Sequence, residues 1–91
     1  MSEQQSYTLT GRVAERGQFK QVTEKFRTRE LIIDTEGQYA QLVKFEFPND
    51  QGNKLDTVNP GDMVTVHFNI RGRKVKDNYY NQLSGWKVER V

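Results

Sequence analysis

The 91-residue sequence contains no cysteine, which excludes disulfide bonds and the common zinc sites built on cysteine ligands. The single histidine, His67, has no histidine partner, so we expect no metal site. No apolar run reaches the length of a membrane span or of a signal-peptide core. These absences predict a soluble, cytoplasmic protein that needs no cofactor and no membrane.

Apolar residues are also scarce. Hydrophobic types make up 34% of the chain and charged types 29%, so the length supports one small domain with a thin core. Association would bury more apolar surface, and we expect a homo-oligomer, either a dimer or a tetramer. The sequence contains no assignable Ser–His–Asp set, paired carboxylates or phosphate-binding glycine loop. We therefore expect no enzymatic activity and assign no catalytic residue.

The positive charge is concentrated in the last third of the chain. The net charge is only +2, but residues 1–60 hold eight Lys or Arg against nine Asp or Glu, whereas residues 61–91 hold six against three. The stretch RGRKVKDNYYNQLSGW, residues 71–86, places four basic residues just before two tyrosines and a tryptophan. A local excess of this kind favours a polyanion as ligand, while a basic surface that only maintains solubility is the alternative.

Apolar and polar residues alternate with period two in five segments, which predicts five strands and no amphipathic helix. The predicted strands cover residues 7–16, 26–35, 38–47, 63–73 and 79–91. Residues 17–25 are predicted to form a loop, and residues 49–59 a connector with at most one helical turn. Residues 34–38 and 76–78 are predicted to be tight turns. We expect residues 1–6 to be disordered and residues 7–91 to form one domain.

The spacing of these elements is typical of the OB-fold. Three strands in sequence, then a connector, then a final hairpin match this five-stranded Greek-key barrel, in which the connector caps one end. An SH3-like barrel is the main competitor, although its longest loops usually come earlier in the chain. The predicted class is therefore all-β, a five-stranded OB-fold Greek-key barrel with a short helical turn or loop between strands three and four.

Three segments carry a resemblance to a known family. They are LIIDTEGQYAQLVKFEF, NPGDMVTVHFNIRGR and LSGWKVERV, with a tyrosine-rich turn between the last two. Together they resemble a family of small, uncharacterised bacterial proteins of the OB-fold type, similar in pattern to single-stranded DNA-binding proteins, over roughly residues 7–91. The resemblance implies the OB-fold and, as an expected function, non-enzymatic binding of single-stranded DNA or RNA.

OB-folds hold single strands across strands two and three, with the first-to-second and fourth-to-fifth loops closing round the ligand. Such a site needs basic side chains for phosphates and aromatic rings for bases. The candidate contact residues are Arg27, Arg29, Lys44, Arg71, Arg73, Lys74 and Lys76 for phosphates and Tyr80 for stacking. The arginines of strand two could instead pair with Glu30 or Glu46. An OB-like protein-interaction or structural module without nucleic-acid binding therefore stays open as the alternative function.

The last strand contains a glycine, Gly85, that suggests a bulge resetting the alternation. With that reset, Tyr80 and Gln82 are predicted to face outward and Tyr79 and Leu83 inward. Trp86 shares its phase with Val88, so we expect Trp86 to plug the barrel, with its ring NH on a buried acceptor.

Overall fold

Five strands close into a barrel in the computed structural model, which describes residues 6–91. The strands are β1 (Tyr7–Thr23), β2 (Phe26–Asp34), β3 (Leu42–Pro48), β4 (Met63–Val75) and β5 (Asn78–Arg90), with a 3-10 helix (Asn49–Thr57) between β3 and β4. The order around the barrel is β1-β2-β3-β5-β4, and a parallel contact between Glu46 and Ser84 closes the ring. This is the predicted OB-fold, with the helical connector in its expected place. The prediction for the N-terminal segment falls, apart from Ser6, outside the described residues.

One face of each strand points into the barrel and contributes to its core. Because side chains alternate across a strand, the inward positions lie two residues apart. The fully buried apolar side chains of β2, β3 and β4 are Leu31, Ile33, Phe45, Phe47, Val64 and Val66. Leu55 and Val58, from the connector, are also buried and join the same cluster. The period-two alternation that predicted β3 and β4 is confirmed at these positions. Residues 6–91 include no helix that is long and apolar enough to cross a membrane.

β1 is longer than predicted, and the expected loop at residues 17–25 is wrong. The strand continues to Thr23, and its far half pairs with β2 through contacts such as Phe19 with Arg29. Three shifts of register interrupt the pairing and bend the strand. This half is polar apart from Phe19 and Val22, so its own alternation does not reveal a strand. Pairing with β2 holds it extended, and the two strands form a long hairpin.

The connection between β2 and β3 is also longer than predicted. β3 begins at Leu42 rather than at Gln38, and the preceding residues form an open loop. The loop is closed at its base, where the Thr35 amide donates to the Gln41 carbonyl over 3.0 Å and the Gln41 amide donates to the Thr35 Oγ1 over 2.9 Å. The tight turn predicted at residues 34–38 is therefore wrong in its bounds.

The β4–β5 hairpin extends beyond the core. Its strands pair from Val64 and Arg90 out to Val75 and Asn78, which flank a two-residue turn at Lys76 and Asp77. Every residue from 70 to 82 is exposed. The outer half of the hairpin is therefore an arm held by backbone pairing, with both faces accessible.

Trp86 lies outside the barrel, which overturns its predicted role. His67 pairs with Lys87 and Phe68 pairs with Gly85, so Trp86 is the extra residue of a bulge. Its side chain is 38% exposed, and its ring lies 5.3 Å from the His67 ring. The predicted bulge is present, but it turns Trp86 outward rather than inward. The interior position beside Phe47 belongs to Gly85 instead.

Candidate functional site

An open groove of about 1010 Å³ separates the arm from the β1–β2 hairpin. One wall carries Val22 and Phe26, from the end of the β1–β2 hairpin. The opposite wall carries Arg71, Arg73 and Tyr80, from the arm. This volume is at the upper end of pockets that hold small ligands, so the groove has room for more than one aromatic ring. The groove lies where OB-folds close two loops round a strand.

The wall of the arm combines positive charge with an exposed ring. Arg73 pairs across the hairpin with Tyr80, and Arg71 pairs with Gln82, so the four side chains share one face of the hairpin. Tyr80 is 52% exposed. No ion pair among residues 6–91 involves Arg71 or Arg73. Both guanidinium groups are thus available to an anion beside an accessible aromatic face.

The two lysines of the arm lie away from this wall. Lys74 is on the opposite face, where its Nζ lies 5.6 Å from the centroid of the Tyr79 ring. Lys76 occupies the turn with φ 57°. Neither lines the groove. They add to the positive field of the arm without facing the same side as Arg71 and Arg73.

Arg29 is engaged within the protein. It shares the inward face of β2 with Leu31 and is only 6% exposed. Its Nε donates to the Gly17 carbonyl over 2.9 Å, while one terminal nitrogen donates to the Gly52 carbonyl over 3.2 Å and to the Asp56 carboxylate over 2.7 Å. These bonds tie β1 and the 3-10 helix to β2. A buried guanidinium with three acceptors is a structural element, so the contact surface proposed below omits Arg29.

The other two candidates of β2 and β3 lie outside the groove. The Arg27 guanidinium lies 4.0 Å from the centroid of the Phe19 ring, on the same strand face as Arg29. Lys44 is on the outer face of β3, and its Nζ lies 3.7 Å from Glu30 Oε2. Lys44 shares that face with Glu46, but neither Lys44 nor Arg27 is among the residues that line the groove.

Of the residues that line the groove, the sequence reasoning named only Arg71, Arg73 and Tyr80 as contact candidates. Among the missed residues, Val22 and Phe26 border a turn in the stretch that was predicted to be a loop or a strand start. Ile70 follows the alternation of Val64 and Val66, which predicts the core face. Ile70 is 54% exposed because the hairpin has left the barrel at that point. Glu46 was considered only as an ion-pair partner. The signal that could have identified Ile70 is its position in the basic end of the hairpin, where no core remains to cover it.

A second polar cluster surrounds Trp86, outside the groove. The Lys54 ammonium donates to the Trp86 carbonyl over 2.6 Å. Glu89 lies 3.0 Å from the Lys87 ammonium and 3.3 Å from the His67 ring nitrogen. The hydrogen bond from Lys87, followed by that from His67, lowers the pKa of Glu89. These contacts lie on the outside of the barrel and join β5 to the 3-10 helix and to β4.

The barrel is similar to several solved structures. It superposes on the mitochondrial single-stranded DNA-binding protein Rim1 of S. cerevisiae with a TM-score of 0.80 and 13% identity, covering 98% of this chain and 97% of that one. The SSB domain of a Synechococcus sp. protein gives a TM-score of 0.74 at 17% identity, with 97% of each chain covered. The N-terminal domain of PriB from Thermoanaerobacter tencongensis, a dimeric structure, gives 0.66 at 13% identity, with 94% of each chain covered. At these identities the likeness establishes the fold.

No curated protein matches the sequence. A protein-family model matches residues 8–89, which is nearly the whole barrel. The chain therefore belongs to the family described as a domain of unknown function, DUF3127.

Proposed function

We propose that this protein binds single-stranded nucleic acid in the groove, without catalysing a reaction. The observation that carries the proposal is the wall of the arm, where Arg71 and Arg73, which form no ion pair within residues 6–91, flank the exposed Tyr80. Guanidinium groups bind phosphate oxygens with charge-assisted hydrogen bonds. Stacking of a base on an aromatic ring contributes about 1–3 kcal/mol and tolerates any sequence.

The other wall supports a stacked base from the opposite side. Val22 and Phe26 present apolar surface to the groove across from the arm. A base that enters between Phe26 and Tyr80 would lose water from both faces, which favours binding. Such entry requires an unstacked and unpaired base, so we propose single strands rather than duplexes as ligands.

The structural neighbours agree with this function. They are a single-stranded DNA-binding protein, an SSB domain and a PriB domain, all built on the same barrel. Fold alone does not determine function. The proposal therefore depends on the side chains of this groove, with single-stranded DNA as the proposed ligand and RNA as its competitor.

Fluorescence anisotropy with labelled oligonucleotides tests the proposal. Single-stranded DNA, RNA of the same sequence and the corresponding duplex are titrated with the protein at low and at moderate salt. We expect single strands to bind at low salt and to bind more weakly as salt rises, because bound phosphates release counterions. Absence of binding to either single strand at both salt concentrations would leave the protein-interaction module as the better explanation of the barrel.

A further inference from the structure

We propose that Glu46, on the floor of the groove, makes the site prefer bases that carry an amino group, and guanine most strongly. This inference rests on the proposed function and adds a ligand preference to it. Glu46 is the one acidic residue among the described residues that line the groove. Its carboxylate has no hydrogen bond or ion pair within residues 6–91, whereas Glu30, directly opposite on β2, is paired with Lys44.

The position of Glu46 is fixed from both sides. It pairs with Glu30 of β2 and with Ser84 of β5, at the contact where the barrel closes. Thr28 and Ser84 border the same part of the groove and are buried. Glu46 itself is half-buried, so its carboxylate has a restricted hydration shell, and residues 6–91 supply it with no hydrogen-bond donor. Hydrogen-bond donors supplied by a ligand would replace that hydration.

The charges of the groove determine how a strand would lie in it. Phosphates are attracted by Arg71 and Arg73 on the arm and repelled by the carboxylate on the floor. The sugar–phosphate backbone would therefore follow the arm, and the edges of the bases would point to the floor. An edge that meets Glu46 must donate hydrogen bonds, because a carboxylate only accepts them.

The Watson–Crick edges of the bases differ in this respect. Guanine presents its N1–H and its amino group side by side, which matches the two oxygens of one carboxylate. Cytosine and adenine present one amino group beside an acceptor nitrogen, and carboxylates accept hydrogen bonds from such amino groups. Thymine and uracil present one N–H between two carbonyl oxygens that repel the carboxylate. Single strands expose these edges to a protein, so the expected order is guanine, then cytosine and adenine, then thymine or uracil.

Three DNA oligomers of equal length test the preference by anisotropy. One alternates thymine with guanine, the second replaces guanine by inosine, which lacks the amino group, and the third contains thymine only. We expect wild type to bind the guanine oligomer about fivefold or more tighter than the thymine oligomer, with inosine between them, since one good bidentate pair supplies at least this discrimination. In Glu46→Gln the amide both donates and accepts, and the guanine preference should fall to about twofold or less.

Glu30→Gln is the matched control, because it removes an equal charge from the neighbouring position on the same sheet face and should retain the order. Thermal unfolding of Glu46→Gln verifies that the variant folds. Equal binding of the three oligomers by wild type would overturn the base preference while leaving the proposed function intact. A uniform gain in affinity of Glu46→Gln, with the order unchanged, would show that Glu46 only repels phosphates and would also overturn it. Failure of all three oligomers to bind would overturn the proposed function itself.

Discussion

The arginines of this chain differ in what surrounds their guanidinium groups. Arg29 is buried and donates to Gly17, Gly52 and Asp56, whereas Arg71 and Arg73 face an open groove with no acidic partner in the described part of the chain. A buried charge persists in a fold only where hydrogen bonds replace its hydration. Arg29 therefore stabilises the junction of β1, β2 and the 3-10 helix. The guanidinium groups of Arg71 and Arg73, by contrast, are available to a ligand.

The outward position of Trp86 leads to a stability prediction. Trp86→Ala should lower the free energy of unfolding by less than about 2 kcal/mol, because a partly exposed ring leaves no closed cavity. Phe47→Ala, which removes a fully buried ring, should lower it by about 3–5 kcal/mol. Urea unfolding of both variants measures the two losses. Equal losses would place Trp86 in the core after all.

The two adjacent tyrosines of the arm provide a matched pair for the binding prediction. Tyr80 lines the groove, while Tyr79 is 72% exposed and lies on the other face, beside Lys74. Tyr80→Ala should weaken single-strand binding by about 1–3 kcal/mol through the lost stacking surface. Tyr79→Ala should bind nearly as wild type, and both should unfold at nearly the wild-type temperature. Anisotropy titrations measure both affinities. A larger loss of affinity for Tyr79→Ala would show that the binding face is the other side of the hairpin.

Among the elements, strands with one buried face could be predicted from the sequence and the paired polar segments could not. In β3 and β4 every second residue is apolar and buried, as at Phe45, Phe47, Val64 and Val66. The far half of β1 has no comparable apolar face, because it leaves the barrel core and is held by pairing with β2. The candidate site was predicted only in part for the same reason. The alternation of residues identified the arm as a basic hairpin. Which side of the arm faces the β1–β2 hairpin across the groove depends on tertiary structure.

The bulge of β5 shows a second limit of sequence reasoning. Gly85 suggested the irregularity correctly, yet whether Gly85 or Trp86 is the extra residue depends on the pairing with His67 and Phe68. A shift by one residue exchanges the two faces of a strand. The Trp86 ring was predicted to lie in the interior, but Phe47 fills the space there and leaves room only for a glycine.

Gly85→Ala tests the packing at this bulge. A Cβ at Gly85 would lie 2.6 and 2.7 Å from two ring carbons of Phe47, which is fully buried and has little room to move. We expect a loss of about 1–3 kcal/mol in the free energy of unfolding. Gly72→Ala is the control, because its Cβ would meet the exposed Asn81 side chain at 3.0 Å. Thermal and urea unfolding should show the control close to wild type, and an unchanged Gly85→Ala would contradict the packing described here.

At the scale of the whole molecule, a closed barrel carries two long hairpins that border one groove. Closure gives each strand of the barrel two neighbours, but the arm keeps a free edge, since within residues 6–91 β4 pairs with β1 only up to Phe68. Exposed apolar side chains remain at the β2–β3 end, where Tyr39 is 81% and Leu42 is 70% exposed. Apolar surface of this kind favours association.

We therefore predict a homodimer or homotetramer at micromolar concentrations. Burial of exposed apolar side chains such as Leu42 would supply the free energy of association. Sedimentation velocity over a range of protein concentrations measures the assembly directly. A single monomeric species across that range would contradict the prediction and would confine the binding surface to one groove.

The salt dependence of single-strand binding tests the central claim most directly. Wild type is compared with the double variant Arg71→Gln/Arg73→Gln, and Lys87→Gln/Arg90→Gln serves as a control of equal charge outside the groove. If Arg71 and Arg73 each neutralise a phosphate, the plot of log affinity against log salt should flatten by about 1.4 units in the double variant, since each phosphate of a single strand contributes about 0.7. Its melting temperature should hardly change, because both side chains are exposed. A double variant that keeps the wild-type affinity and slope would contradict the account of the groove as a phosphate-binding site.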